Sequence, residues 1–260
     1  MEIGNYAMFI LNSAILFIFG LSIGSFLNVV IYRSKIKKSL VHPASFCPSC
    51  KHRLAWYDLI PVASFIILGG KCRYCRKRVS WQYPLIELAC GVLFALFYMK
   101  VGGINPLLFF NLFFVSIFVV IFVYDLKYYL ILDRIILSGA TLAILASIFL
   151  GKPSFPVALL GSLMSGGFFA IIVLVSKGKW MGGGDVKLGF LLGFILGWPQ
   201  ISVALFIAFI LGSIIGLLLI ALQKKTLKSA VPFGTFLTVA AIVTMLEGER
   251  ILRWYLNLIT

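Results

Sequence analysis

Residues 106–124 read PLLFFNLFFVSIFVVIFVY. These 19 residues carry no charge. As a helix rising about 1.5 Å per residue they span roughly 30 Å, the thickness of the hydrocarbon core of a bilayer. Working outward, comparable apolar runs occupy 7–32, 84–99, 130–150, 155–176, 186–198, 201–222 and 231–246, with 186–198 the shortest. The chain is predicted to be an all-α polytopic membrane protein with about eight transmembrane helices. Composition excludes the main competitor. Of 260 residues, 62% are apolar and only 12% charged, with a mean hydropathy of +1.08. Globular domains carry about 25% charged residues, so a soluble enzyme of this length would have to cover its surface with apolar side chains. Disorder, collagen and coiled coil are excluded on the same ground.

Met1 to Ile10 contains no basic residue. A secretory signal needs a basic n-region and a shorter apolar stretch, so the first run is expected to stay as a helix. The tail 248–260 mixes Leu252, Trp254, Tyr255 and Ile259 with Arg250 and Arg253 and is expected to form an interfacial helix. The net charge is +15. Nucleic-acid binding is not expected, because none of its motifs is present. The basic residues fall instead between the apolar runs, where positive charge marks cytoplasmic loops. Counting the stretches after odd-numbered runs together, 33–83, 125–134, 177–187 and 224–228 hold 19 Lys and Arg. The other side holds 4, namely Lys100, Lys152, Arg250 and Arg253. The expected topology is multi-pass in the cytoplasmic membrane, surrounded by its lipids, with the N-terminus outside and the basic stretches cytoplasmic.

The organisation expected is a first helix at 1–32, a cytoplasmic loop domain at 33–83 and a membrane domain at 84–260. The loop has 11 basic residues and one acid, Asp58. Its inner stretch 59–70 is apolar and is expected to dip towards the interface. Cys47-Pro-Ser-Cys50 and Cys72-Arg-Tyr-Cys75 lie 21 residues apart. Two thiolates spaced by two residues chelate one ion from a single turn, and a second such turn completes a tetrahedral zinc site. Lys51, Arg53, Lys71, Arg73 and Arg76 favour thiolates. Two disulfides are the alternative, but disulfides rarely persist in the cytoplasm. Four protein ligands leave no open position, so the zinc is expected to be structural. His42 and His52 are expected to be ordinary loop histidines.

Eight acidic residues in the chain make each one informative. Glu2, Glu247 and Glu249 flank spans and read as solvated. Glu87, Asp125, Asp133 and Asp185 lie in or at the cytoplasmic ends of spans, where an ionisable group is costly and a functional candidate. Asp125 opens DLKYYLILD, and Asp185 ends WMGGGD at the head of the sixth run. Gly182, Gly183 and Gly184 let an extended peptide approach Asp185 closely. Two carboxylates on different helices share one proton, the neutral one acting as acid while the other activates water. The competing readings are that Asp185 only caps a helix and that Asp125 pairs with Lys127 or Arg134.

Several stretches together resemble the bacterial type IV prepilin leader peptidases, membrane aspartic peptidases of the GxGD type. Gly24-Ser25-Phe26-Leu27-Asn28-Val29 is similar to their first-helix motif. The four cysteines, Asp58-Leu59-Ile60-Pro61 with Ser64, Tyr83-Pro84 with Glu87, and Gly182-Gly183-Gly184-Asp185 with Lys187 follow in the family's order. The resemblance implies cleavage of the short basic leader from prepilins or type II pseudopilins at the cytoplasmic face. It also implies N-methylation of the new terminus with S-adenosylmethionine, whose binding residues the sequence does not mark. The catalytic pair maps to Asp125 and Asp185, with Gly182, Gly183, Gly184, Lys187, Asp133 and Glu87 in support. The chain departs from the family at Leu132, where Pro is usual, and at Ser34-Lys35, where a Pro often follows. Two other functions stand beside this one. One is a methyltransferase or lipid-modifying enzyme with structural aspartates. The other is a transporter or assembly scaffold, although only one glycine-broken site and no internal repeat is found.

Overall fold

The computed structural model describes residues 2–42, 44–223 and 231–259. Helix α1 spans Glu2–Lys35. A single 3-10 turn, Trp56–Leu59, and a short helix α2, Ala63–Ile67, lie within the loop. Then come α3 (Gln82–Val101), α4 (Pro106–Tyr128), α5 (Asp133–Phe149), α6 (Phe155–Ser176), α7 (Gly183–Leu196), α8 (Gln200–Ala221) and α9 (Phe233–Ile259). No strand occurs among the described residues. In lipid every backbone group must bond within its own segment, which is why apolar runs become helices. Proline at the first positions of α4 and α6 starts a helix without wasting an amide, and Gly102, with φ 77°, closes α3 in the left-handed conformation.

Every expected span coincides with a helix, but five of the eight are long and apolar enough to cross a bilayer: those in α1, α3, α4, α6 and α8. The eight-span count therefore stands as an expectation. Helices α5 and α7 have 17 and 14 residues, or about 25 and 21 Å of rise. The shortness of α7 has a physical reason. It packs against α5, α6, α8 and α9, and Leu188, Leu191 and Leu192 are buried. A helix enclosed by protein need not match the bilayer. Residues 248–259 continue α9 without a break, helped by Glu247–Arg250 and Glu249–Arg253 ion pairs of 3.0 Å at helical spacing. The basic stretch 224–228 lies outside the described residues.

The chain divides into two compact units, Met1–Val120 and Ile121–Thr260. In the first, α1 and α3 pack closely through small residues: a Cβ on Gly24 would stand 2.6 Å from the Glu87 Cα. In the second, a Cβ on Gly161 of α6 would stand 2.5 Å from the Gly193 carbonyl of α7, so only glycine permits this approach.

Candidate active site

In the second unit, Asp125 lies in the last turn of α4 and is 5% exposed. Tyr129, with φ 54°, stops the helix just after it and turns the chain towards α5. The Asp125 carboxylate sits at the start of α9. Its Oδ2 accepts the Thr235 amide at 3.0 Å, and the Gly234 amide also donates to it. The first amides of a helix have no partner within the helix and favour a negative charge, so α9 offers Asp125 a prepared anion seat.

Asp185 is half-buried in the first turn of α7, whose N-cap is Gly182. The Asp185 amide donates to the Gly182 carbonyl at 3.1 Å, and its carboxylate takes the Gly182 amide in return. This return bond is half of a capping box, with Gly182 rather than Asp185 as the N-cap. It does not exclude chemistry, because the two carboxylates lie within electrostatic reach of each other. Ile131 lies against the heads of both α7 and α9. It stands 3.3 Å from a Cβ placed on Gly184 and 3.1 Å from one placed on Gly234.

Asp133 and Lys187 meet at 2.7 Å across α5 and α7. The partner of Asp133 is thus Lys187 on the neighbouring helix. Both side chains are largely exposed, at the rim of a cavity lined also by Arg134, Ile136, Leu137 and Ala140. Sequence reasoning missed Gly234 and Thr235. A Cβ on Gly234 would be 2.8 Å from Asp125 Oδ2. The available signal was Pro232-Phe233-Gly234 at the head of the last apolar run, a proline and a glycine where a helix begins.

In the first unit the cysteines form two matching knuckles. Cys47 and Cys72 each accept the amide four residues on, from Lys51 and Arg76. Each also donates its own amide to the carbonyl five residues on, at His52 and Lys77. Lys51 and Arg76 take φ of 62° and 59°, the sharp bend that folds each knuckle back. The four Sγ atoms lie within 4.8 Å of one another, and Cys47 and Cys75 are 4.0 Å apart. Tetrahedral zinc with Zn–S near 2.3 Å requires sulfurs roughly 3.8 Å apart, so the donor set fits one ion. Burial raises the Cys47 thiol, but hydrogen bonds from the Cys50 and Ser49 amides and from the Cys72 and Cys50 thiols together bring it down to about 7. All four are free thiols, and His52 stacks on Tyr74 at 3.7 Å instead of joining them.

Asp58 ties the 3-10 turn to the second knuckle. Its Oδ1 accepts Arg73 at 2.7 Å, and its Oδ2 accepts Tyr74 at 3.1 Å and the Ala55 amide at 3.2 Å. Burial opposes ionisation, yet these bonds hold the carboxyl below the usual carboxylate range. Glu87 is buried on α3 and accepts the Val62 amide at 2.7 Å.

Comparison with known proteins agrees with this division. Residues 18–101 match the Bacterial Peptidase A24 N-terminal domain, and residues 112–217, with both aspartates, match the Type IV leader peptidase family. A prepilin leader peptidase/N-methyltransferase of Bacillus subtilis is 32% identical over 245 residues, covering 94% of this chain and 98% of that protein. One from Legionella pneumophila is 30% identical over 269 residues, covering 92% of this chain and 93% of the relative. No solved structure matches the chain. With similarity running nearly end to end through the cysteine knuckles and both aspartates, the chain belongs to the type IV leader peptidase family.

Proposed function

We propose that the protein is a prepilin leader peptidase and N-methyltransferase of the bacterial inner membrane, with Asp125 and Asp185 as its peptidase pair. One observation carries the reading: two carboxylates from different helices, each accepting helix N-terminal amides, lie within electrostatic reach of each other in the second unit. The family to which the chain belongs supports it, and the names of its relatives state both activities. The scaffold and lipid-enzyme readings offer no reason for this pairing.

The chemistry follows from the pair. The ionised carboxylate takes a proton from water, and the water oxygen adds to the carbonyl carbon of the leader's last residue. The protonated carboxyl gives its proton to the carbonyl oxygen. Collapse breaks the C–N bond, and the leaving nitrogen collects a proton to become the new N-terminus. Gly182, Gly183 and Gly184 leave room for an extended substrate beside Asp185. Asp133 and Lys187 brace α5 against α7 at the rim.

Methyl transfer is assigned to the first unit, since the matched peptidase region lies outside the cysteine loop. S-adenosylmethionine supplies an electrophilic methyl group to the free amine, and no residue is assigned to hold it. Zinc held by Cys47, Cys50, Cys72 and Cys75 would fix the fold of the loop. The charge split puts the N-terminus outside and both activities at the cytoplasmic face. Incubating the purified protein in detergent with a prepilin and S-adenosylmethionine tests the reading. Leader loss followed by gain of one methyl group is expected, and an intact leader overturns it.

A further inference from the structure

Glu87 is a buried carboxylate to which the peptidase chemistry gives no task. It is 6% exposed, and among the described residues no basic side chain forms an ion pair with it. Its backbone is fixed by the close approach of Gly24 on α1, and Ser25 of the same helix hydrogen-bonds to its carboxylate. Its Oε2 reaches out of the helix pair to the amide of Val62 at 2.7 Å.

Val62 has φ 61° and ψ −50°. The Ala63 amide donates back to the Pro61 carbonyl at 2.5 Å, which makes Val62 the centre of a γ-turn. This hand of γ-turn is rare and strained, and positive φ is an outlier for a β-branched residue. Such a conformation persists only where its surroundings over-determine it. Val62 lies between two anchored pieces. The 3-10 turn before it is tied to the second knuckle through Asp58, Arg73 and Tyr74, and α2 begins just after it. Glu87 is the contact that joins this bend to α1 and α3.

We propose that Glu87 is a positioning residue for methyl transfer: its carboxylate clamps the strained Val62 turn and so seats the cysteine loop on the α1–α3 pair. The proposal rests on the assignment of methyl transfer to the first unit. The role is that of a hydrogen-bond acceptor, not of an acid or base. Glutamine keeps an acceptor oxygen and alanine does not. Glycine at position 62 adopts positive φ freely, so the turn would hold without its clamp.

The test uses full-length protein with a prepilin and S-adenosylmethionine, reading the methylated fraction of processed pilin by mass spectrometry and protease protection of the loop. Glu87→Ala should lower methyl transfer per cleaved pilin by about tenfold, as expected for one lost buried hydrogen bond. Glu87→Gln should stay within about threefold of wild type, and Val62→Gly added to Glu87→Ala should restore transfer to about that level. Loop protection should fall and recover in parallel. Glutamine as damaging as alanine, no rescue by glycine, or no effect of alanine would each overturn the clamp. If Glu87→Ala does not fold, a folded double variant is itself the rescue, and an unfolded one overturns it. Wild-type protein that cleaves but never methylates defeats the methyl-transfer assignment, and the clamp is then decided on loop protection in the same variants.

Discussion

In the proposed mechanism Asp125 and Asp185 share one proton, so neither is expected to work alone. Asn at either position keeps the shape and removes the acid–base function. Cleavage should fall by about 10²–10⁴-fold in each single variant, and the double should be little worse, because the two act as a unit. Prepilin cleavage by proteins checked for normal membrane insertion measures this. Asp133→Asn should cost less than about tenfold, since the Asp133–Lys187 pair is exposed and such bridges are worth about 0–1 kcal/mol. Gly234→Ala should be far worse than its size suggests. The added methyl would stand 2.8 Å from Asp125 Oδ2, forcing the carboxylate or the start of α9 to move. A displacement of that kind costs about a hundredfold in rate, which the same assay reads. The two aspartates were legible in the sequence because acids are so rare in this chain. Gly234 was not, since a glycine at the head of an apolar run carries no charge and its value lies in what it leaves empty.

Among the elements, the cysteine knuckles were the most legible. Their spacing announced four ligands for one ion, and the structure brings the four sulfurs together. The bends at Lys51 and Arg76 were hidden, because nothing in a lysine or arginine signals positive φ. The role of Asp58 was hidden for a different reason: its partners lie 15 and 16 residues away and only the folded loop unites them. Asp58→Ala should free Arg73 and the Ala55 amide and loosen the loop modestly, because Arg73 is exposed, seen as faster proteolysis at unchanged zinc loading. The acid response has a definite sign. A carboxyl held below its ordinary value stabilises the fold fully above about pH 3.9, and that contribution is lost as pH falls through the lowered folded value. Loop protection in wild type should therefore retain an acid-sensitive step that Asp58→Asn lacks. The same step in both proteins would remove Asp58 as its cause. Helix positions followed the apolar runs closely. The end of α9 did not, since helical pairing of Glu247 and Glu249 with arginines carries it past the apolar stretch.

At the scale of the molecule, the proposed function gives the two units two jobs. Met1–Val120 contains the cysteine loop and the Glu87 clamp. Ile121–Thr260 contains Asp125, Asp185, the α9 amides that seat Asp125 and the Asp133–Lys187 brace. Among the described residues, the hydrogen-bond partners of the aspartate pair come from its own unit, so the peptidase is expected to keep its geometry without the loop. The loop nevertheless exposes Ile66 and Ile67 of α2, 70% and 79% accessible, at the end of the chain segment that leads into α3. Apolar side chains placed there suit a membrane-embedded substrate or the bilayer surface. Replacing 47–75 by a short flexible linker should abolish methyl transfer and leave cleavage reduced but measurable. Zinc should disappear with the four thiols. Mass spectrometry of the pilin distinguishes the products: leader removed and no methyl gained is the expected result. Methylated product from the loopless protein would place transfer outside the first unit. Complete loss of cleavage in a protein that still inserts normally would show that the loop grips the substrate for both reactions, and the separation into two independent units would fail.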